Sequence, residues 1–185
     1  MFTRKHILIG VVVIAGLSAC ATQGPEPSVQ TQRPKLGVAA DPALIAAWDI
    51  SIPPSGAGLP PGSGTVKQGA LVYVAKCQAC HGERGAGKPM DALVGGIGSL
   101  ATDKPVRTVG SYWPYATTLF DYVRRAMPTT APMSLTSDEV YAVSAYVLNI
   151  NGIIAENDVM NAQTLAAVRM PNRDGFISDW PAGKR

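Results

Sequence analysis

The amino-acid sequence predicts an all-α fold with three main helices in one domain. Each predicted helix begins at a residue pattern typical of helix starts, and apolar residues then recur along it at helical spacing. A chain of 185 residues with 46% hydrophobic residues can bury one core, whereas two compact domains would be crowded. We therefore expect one folded domain with irregular extensions at its N- and C-terminal ends.

The first helix is predicted to begin at Thr65. Thr65 and Gln68 have the spacing of a capping box, in which each side chain binds the backbone N–H at the other position. Leu71, Val74 and Ala75 recur at helical spacing, as expected for the apolar, buried face of a helix. The helix leads directly into the segment KCQACHG, and six glycines between positions 82 and 98 predict a loop after it.

Two further helices are predicted in the second half of the chain. Pro114 suits the first position of a helix over 114–126, and a Met-Pro pair disfavours helix beyond its end. Thr136 and Glu139 form a second capping box at the start of the third helix. Gly152 is a typical C-terminal stop, so this helix is expected to end just before it.

The first twenty residues are typical of a bacterial export signal. Two basic residues precede an apolar run from Ile7 to Leu17, which is too short to span a bilayer comfortably. The run ends in Leu-Ser-Ala-Cys, which predicts a signal peptide over 1–19 and lipidation of Cys20. An ordinary secretory signal with an incidental cysteine is the alternative. We therefore predict a periplasmic lipoprotein anchored to the membrane.

Composition divides the rest of the chain into four parts. Residues 20–40 have the polar, Pro-containing composition of a flexible tether. Residues 41–64, termed the strap, are rich in Pro and Gly but too apolar for a free linker. We expect an irregular segment, extended at its prolines, that packs on the domain or on a partner. A partly ordered linker is the alternative. The domain itself is predicted over 65–152, and an irregular extension over 153–185 contains a short helix near 161–168.

The charge of the chain does not favour binding to nucleic acid. The formal net charge is +3, and cleavage of the signal peptide removes two basic residues and no acidic residue. The mature chain would therefore carry a net charge of about +1, with no basic stripe along any predicted element.

The chemistry of the chain is concentrated in one C-x-x-C-H motif formed by Cys77, Cys80 and His81. A structural zinc site needs four ligands, and apart from the lipidated cysteine no other Cys or His follows the signal peptide. A redox dithiol needs a βαβ setting, which the preceding helix and the following loop do not provide. In an exported chain the motif is typical of haem attachment. Two thiols one helical turn apart can form thioethers with one porphyrin edge, and the histidine becomes the proximal iron ligand. We therefore predict one covalently bound haem c.

The second axial ligand is predicted to be a methionine, because no other histidine follows the signal peptide. Met127 lies at the end of the second helix, before a proline, where an extended turn lets its thioether approach the iron from the side opposite His81. Met133 lies in the same loop and is the rival, and an open position is a further alternative. A histidine–methionine pair indicates one-electron transfer at a raised reduction potential. Three acidic residues are expected to be solvated or capping groups: Glu83, Asp91 and Asp121.

Together, these residues resemble the class I cytochrome c family over about residues 66–151. A longer resemblance, over about 41–177, is to the SoxD-type cytochrome subunit of sulfane and sulfite dehydrogenases. The segments that carry it are AWDISIPPSGAGLPPGSGTV, TVGSYWPYATTLFDYVRRAMP, SLTSDEVYAVSAYVLNING and VRMPNRDGF. The resemblance implies that the first and last helices cross near Gly69 and Tyr73, and that Met127 is the distal ligand.

The resemblance also implies which residues contact the haem edge. It places Trp113 and Tyr115 where N–H and O–H groups can bind propionates, with Arg124 or Arg125 as further contacts; packing in the core or on the surface is the alternative. Two features depart from the family. Its members are often soluble in the periplasm, whereas this chain carries a lipidation motif, and they can carry a second haem domain, for which this chain has no room.

We therefore expect an electron-transfer subunit of an oxidoreductase complex, with no catalytic residue of its own. The resemblance implies that it accepts electrons from a molybdenum sulfur-compound dehydrogenase of the SoxC type and passes them to another cytochrome or an oxidase. Three alternatives stay open. The chain could be a free-standing electron shuttle, the cytochrome subunit of a quinoprotein alcohol or aldehyde dehydrogenase, or a haem-based sensor with an open iron position.

Overall fold

The structure of the protein is a computed structural model, which describes residues 36–177. The predicted signal peptide, Cys20 and most of the predicted tether lie outside the described residues. Residues 36–40 are exposed and contain no helix or strand. No helix in the part of the chain described is long and apolar enough to cross a membrane. Residues 41–177 contain the helices and strands α1 (Pro42–Trp48), β1 (Ser63–Thr65), α2 (Val66–Lys76), α3 (Gln78–His81), α4 (Ala116–Ala126), α5 (Ser137–Ile150), β2 (Val159–Asn161) and α6 (Ala162–Ala167). Two 3₁₀ helices, Glu83–Gly85 and Ser99–Ala101, lie in the loop after α3.

The crossing of α2 and α5 forms the centre of the fold. The capping box predicted at Thr65 begins α2, and the second predicted capping box begins α5. Gly69 makes the close approach of the two helices, because a Cβ atom there would lie 1.8 Å from the carbonyl oxygen of Ala142. One turn further along α2, the rings of Tyr73 and Tyr146 pack with their centroids 5.0 Å apart. The predicted crossing of the first and last long helices is therefore confirmed.

The buried face of α2 differs from the predicted one. Leu71 and Val74 are 72% and 62% exposed, whereas Val66, Gly69 and Tyr73 are buried. Both sets of residues have helical spacing, so spacing alone cannot tell which side of α2 faces the core. The glycine decides the matter, because only the side without a side chain lets the α5 backbone approach. The prediction that Leu71 and Val74 form the buried face was wrong.

α4 packs across α5 and completes the core. Phe120 of α4 and Tyr141 of α5 are fully buried, and their ring centroids lie 4.5 Å apart. The helix begins at Ala116, two residues later than predicted, because Tyr115 is extended and occupies the N-cap. Pro114 therefore precedes the helix instead of opening it.

A two-stranded sheet joins the two extensions of the domain. β1, at the end of the strap, pairs antiparallel with β2, and Gly64 lies opposite Met160. Gly64 also lies against α5, where a Cβ atom would be 2.2 Å from the backbone nitrogen of Ala142. The short helix predicted near 161–168 is present as α6, which begins at an Asn161 capping box. The two strands, of three residues each, were not predicted. The prediction of an irregular strap was wrong at its start, where the Asp41 side chain caps the helix α1 and Pro42 occupies its first position.

Candidate functional site

The C-x-x-C-H motif forms a single helical turn directly after α2. Cys77 ends α2, and its carbonyl oxygen accepts hydrogen bonds from the backbone N–H groups of Cys80, at 3.1 Å, and His81, at 2.9 Å. Both cysteines are free thiols and half-buried. The turn therefore keeps two thiols and one imidazole next to each other at the end of a rigid helix.

A backbone carbonyl determines the orientation of the His81 ring. The Nδ1 atom of His81 lies 3.0 Å from the carbonyl oxygen of Asp91. A carbonyl oxygen can only accept, so Nδ1 carries the proton in this bond and Nε2 keeps its lone pair free. This is the arrangement of a histidine that binds a metal through Nε2 and is held by an outer-shell partner. Asp91 thus takes part in the site through its backbone, a role that the expectation of a solvated group missed.

The glycine-rich loop folds back onto the motif. The hydroxyl of Tyr73 donates to the carbonyl oxygen of Gly82 at 2.9 Å, and the Gly87 N–H donates to the carbonyl oxygen of His81 at 2.8 Å. Gly82 has a φ of +74°, and a Cβ atom there would lie 2.3 Å from the Gly87 carbonyl oxygen. Only glycine meets both requirements at this position. The loop therefore holds the backbone of the motif as well as the His81 ring.

The two cysteines do not have the properties of a redox dithiol. Burial, with a smaller contribution from the neighbouring Cys80, raises the pKa of the Cys77 thiol to about 11. A reactive dithiol depends on a lowered thiol pKa, because the thiolate is the nucleophile. No cluster of three or more His, Cys, Asp or Glu side chains that could hold a metal ion occurs among residues 36–177. Two adjacent thiols and an imidazole with a free Nε2 instead fit the attachment of a haem.

The two candidate methionine ligands lie in different environments. Met127 is half-buried and extended, with φ −119° and ψ 142°, and its N–H still bonds to the Val123 carbonyl oxygen at the end of α4. Met133 is 61% exposed and has a φ of +61°. Met127 is thus anchored to a core helix, while Met133 lies on the surface of the following loop. This difference favours Met127, and its role as the distal ligand stays a prediction.

Trp113 and Tyr115 lie two positions apart in the segment before α4, and both are half-buried. The Trp113 ring packs edge-on against Tyr122 with centroids 5.6 Å apart, and the Arg173 guanidinium lies 4.4 Å from the centre of the Tyr115 ring. Within the described part of the chain, neither the indole N–H nor the phenol hydroxyl donates a hydrogen bond to a protein group. Both polar groups are therefore available to a ligand, and their predicted contact with propionates remains a prediction.

The two arginines near the end of α4 contact the strap and its anchor. Arg124 donates to the carbonyl oxygen of Ile50 at 3.5 Å, and Arg125 forms an ion pair with Asp121. Asp121 is only 8% exposed and accepts the backbone N–H of Ile52 at 3.0 Å. The expectation that Asp121 is a solvated or capping group was wrong, because the strap covers it and uses it as an acceptor.

Comparison with known proteins agrees with this geometry. The family model described as cytochrome c oxidase, cbb3-type, subunit III matches residues 64–147. A search of curated proteins found no match. The chain is also similar to a chain in the crystal structure of the sulfane dehydrogenase SoxCD from Paracoccus pantotrophus. The sequence identity is 40%, the match covers 80% of this chain and 73% of that chain, and the TM-score is 0.75. The chain is therefore a member of the class I c-type cytochrome family, similar to the SoxD-type cytochrome subunit of sulfane dehydrogenase.

Proposed function

We propose that the protein is the periplasmic monohaem subunit of a molybdenum-dependent sulfur-compound dehydrogenase. It accepts electrons from a catalytic subunit of the SoxC type and passes them to a downstream cytochrome or oxidase. The observation that carries this proposal is the match to a SoxCD chain at 40% identity over 80% of the sequence. The match to the general cytochrome model is much shorter and ends at residue 147. The similarity thus extends well beyond the part that cytochromes share.

Four side chains would hold the haem. Cys77 and Cys80 would form the two thioethers, while Nε2 of His81 and the thioether sulfur of Met127 would ligate the iron. The haem supplies the one-electron redox chemistry. A thioether sulfur opposite an imidazole raises the reduction potential. No residue of this chain needs to bind the sulfur compound, which agrees with the absence of a predicted catalytic residue.

The surrounding residues would keep the His81 side chain in one position in both oxidation states of the haem. The hydrogen bond from His81 Nδ1 to the Asp91 carbonyl fixes the ring and increases the basicity of Nε2. The bond from Tyr73 to Gly82 ties the loop to the core. Ligands that move little between the two redox states reduce the reorganisation that electron transfer requires. Trp113 and Tyr115 would bind the propionates through their N–H and O–H groups.

The predicted signal peptide and Cys20 support a location on the periplasmic side of a membrane. A lipid on Cys20, followed by the polar tether, would keep the cytochrome close to the membrane while leaving it free to meet its electron donor and acceptor. One acyl anchor binds weakly alone, so stable retention would require further acyl chains or contacts.

Reduction of the haem by sulfur compounds tests this function. The protein is purified from the membranes of its own host under mild conditions, and the haem spectrum is recorded in air before and after separate additions of sulfite and thiosulfate. We expect one of these compounds to reduce the haem, and we expect molybdenum in the preparation. A preparation of the double variant Cys77→Ala/Cys80→Ala serves as the control, because it cannot hold the haem covalently and should show no such change.

A haem that stays oxidised with both compounds, in a preparation without molybdenum, would contradict the proposed function. If that haem still accepts electrons from small reductants, a free-standing electron shuttle becomes the better account. Reduction by an alcohol or aldehyde, together with a quinone cofactor in the preparation, would instead identify a quinoprotein dehydrogenase as the donor.

A further inference from the structure

The helix α1, at the start of the strap, exposes an apolar face that no other part of residues 36–177 covers. Leu44 and Ile45 are 54% and 51% exposed, Trp48 is 80% exposed, and α1 contains no buried residue. These three residues lie within about a third of the helix circumference, so they form one continuous face. Trp48 lies at the centre of this face and is four-fifths exposed, which is unusual for a surface that contacts only water.

The rest of the strap is anchored to the domain at separate points, whereas α1 is not. Four residues after α1, the Ile52 side chain is buried and its N–H donates to buried Asp121. Further on, the carbonyl oxygen of Pro60 accepts a hydrogen bond of 2.8 Å from Tyr141. The domain therefore fixes the point from which α1 extends. A helix of seven residues is not stable alone in water, so α1 needs a second surface against which its apolar face can pack.

The similarity to SoxCD indicates what that surface is. The general cytochrome match begins at residue 64 and does not include α1. The match to the SoxCD chain covers 80% of 185 residues, which is about 148 residues and leaves about 37 outside it. Residues 64–185 number 122, so about 26 or more of the matched residues lie before residue 64. The similarity therefore extends into the N-terminal region that contains α1, in a chain that was solved as part of the sulfane dehydrogenase SoxCD.

The charges on α1 argue against a lipid surface as its partner. Asp41 caps its N-terminus and Asp49 its C-terminus, and the helix has no basic residue. Helices that lie on anionic membranes carry Lys and Arg on their polar faces. Two aspartates beside the apolar face would be repelled by anionic lipid, but they are compatible with the polar rim of a protein groove.

We propose, on the basis of the function given above, that α1 docks into an apolar groove of the molybdenum subunit. Trp48 is the anchor, and Leu44 and Ile45 pack beside it as in other helix-in-groove contacts. The strap after α1 is anchored at Ile52 and Pro60, so it keeps the haem domain at a fixed distance from the docked helix. Partner recognition and electron transfer are thereby assigned to different parts of the chain.

A binding titration tests this inference. The molybdenum protein that co-purifies with the wild-type chain is separated from it, identified by its molybdenum content, and titrated with full-length variants loaded with haem. Trp48→Ala should weaken binding at least about 30-fold, as expected for an interface anchor. Asp41→Ala removes the N-cap and should weaken binding about fivefold. Ile177→Ser is the matched control, since Ile177 is 92% exposed, and it should bind like the wild type.

Each variant must keep its haem spectrum and thermal midpoint, which is expected because Trp48 is not part of the core. If Trp48→Ala binds the molybdenum protein as well as the wild type, α1 is not the docking element, even if sulfur compounds still reduce the haem. If Trp48→Ala binds the molybdenum protein normally but is retained less on phosphatidylglycerol vesicles, α1 binds lipid and the proposal is overturned. If it binds normally but no longer forms a dimer that the wild type forms, α1 binds a second copy of the chain, which also overturns the proposal. If the wild-type chain binds no molybdenum protein and its haem is not reduced, the proposed function fails, and this inference fails with it.

Discussion

The haem-site loop and the strap are both held by hydrogen bonds to backbone groups, but they differ in where their partners lie along the chain. In the loop, His81 is bound by Asp91, ten residues away. In the strap, Ile52 is bound by Asp121, 69 residues away, and Pro60 by Tyr141, 81 residues away. Local contacts cost little chain entropy and can form early, whereas distant ones require a finished core. The haem-site loop is therefore held mainly by local contacts, whereas the strap depends on the rest of the fold.

The largest effect is expected at the predicted distal ligand Met127, which lies outside the haem-site loop. Met127→Ala should remove the thioether from the iron and lower the reduction potential by a substantial fraction of the about 0.8 V over which axial ligands move haem potentials. Met133→Ala is the matched control and should change little, because Met133 is 61% exposed. Both can be measured by spectroelectrochemical titration. The reverse result would make Met133 the ligand, and no change in either variant would support an open position.

The next largest effect is expected at the crossing of α2 and α5, on which the loop and the strap both depend. Gly69→Val should lower the free energy of unfolding by about 3 kcal/mol or more, because its side chain would collide with the α5 backbone. Lys67→Val places the same branched side chain on the exposed side of α2 and should cost about 0.5 kcal/mol or less. Denaturant unfolding of the haem-loaded protein measures both. A difference below about 1 kcal/mol between the two variants would contradict the close helix contact.

Sequence reasoning succeeds in this molecule where the chemistry is local. The haem motif and both capping boxes depend on residues no more than four positions apart, so their spacing carries the information. The strands β1 and β2 were missed because three-residue segments have no detectable periodicity. Asp121 was misjudged because an aspartate that anchors a distant strap looks the same in sequence as a solvated one. The face of α2 was misjudged because two stripes fit helical spacing, and only the position of α5 distinguishes them.

The strap should loosen when its buried anchor is removed. Asp121→Ala leaves the Ile52 N–H without its acceptor in a buried position, and we expect a loss of about 2 kcal/mol in the free energy of unfolding. The ion pair with Arg125 adds little, because this arginine side chain is 48% exposed. Asp138→Ala removes a comparable bond to the Ser63 N–H at an exposed position and should cost less than about 1 kcal/mol. Equal losses in the two variants would show that burial of the anchor does not matter.

The smallest effect is expected at Tyr141, whose hydroxyl holds the strap. Because this hydroxyl titrates at high pH, raising the pH should loosen the strap before it affects the haem-site loop. Burial raises the pKa of the Tyr141 hydroxyl, and Arg124 partly offsets this. The neutral phenol is therefore favoured in the folded protein. Its contribution to stability is complete below the unfolded tyrosine pKa of about 10 and is lost as the pH rises through the higher folded value.

Tyr141→Phe should cost about 1 kcal/mol at neutral pH, through loss of the bond to the Pro60 carbonyl. Above pH 10 the difference between wild type and variant should shrink, because only the wild type must keep this phenol neutral in order to stay folded. Limited proteolysis of the strap, followed from pH 7 to 11 with the haem spectrum as an internal reference, measures this. The strap should be cut sooner in alkaline wild-type protein before the haem spectrum changes. The bonds around His81 do not involve the strap, and burial raises the pKa of Tyr73, whose hydroxyl holds the haem-site loop, to about 12. If the haem spectrum changes at the same pH at which the strap is cut, the strap and the haem-site loop unfold as one cooperative unit. The difference between local and distant anchoring would then have no consequence for stability.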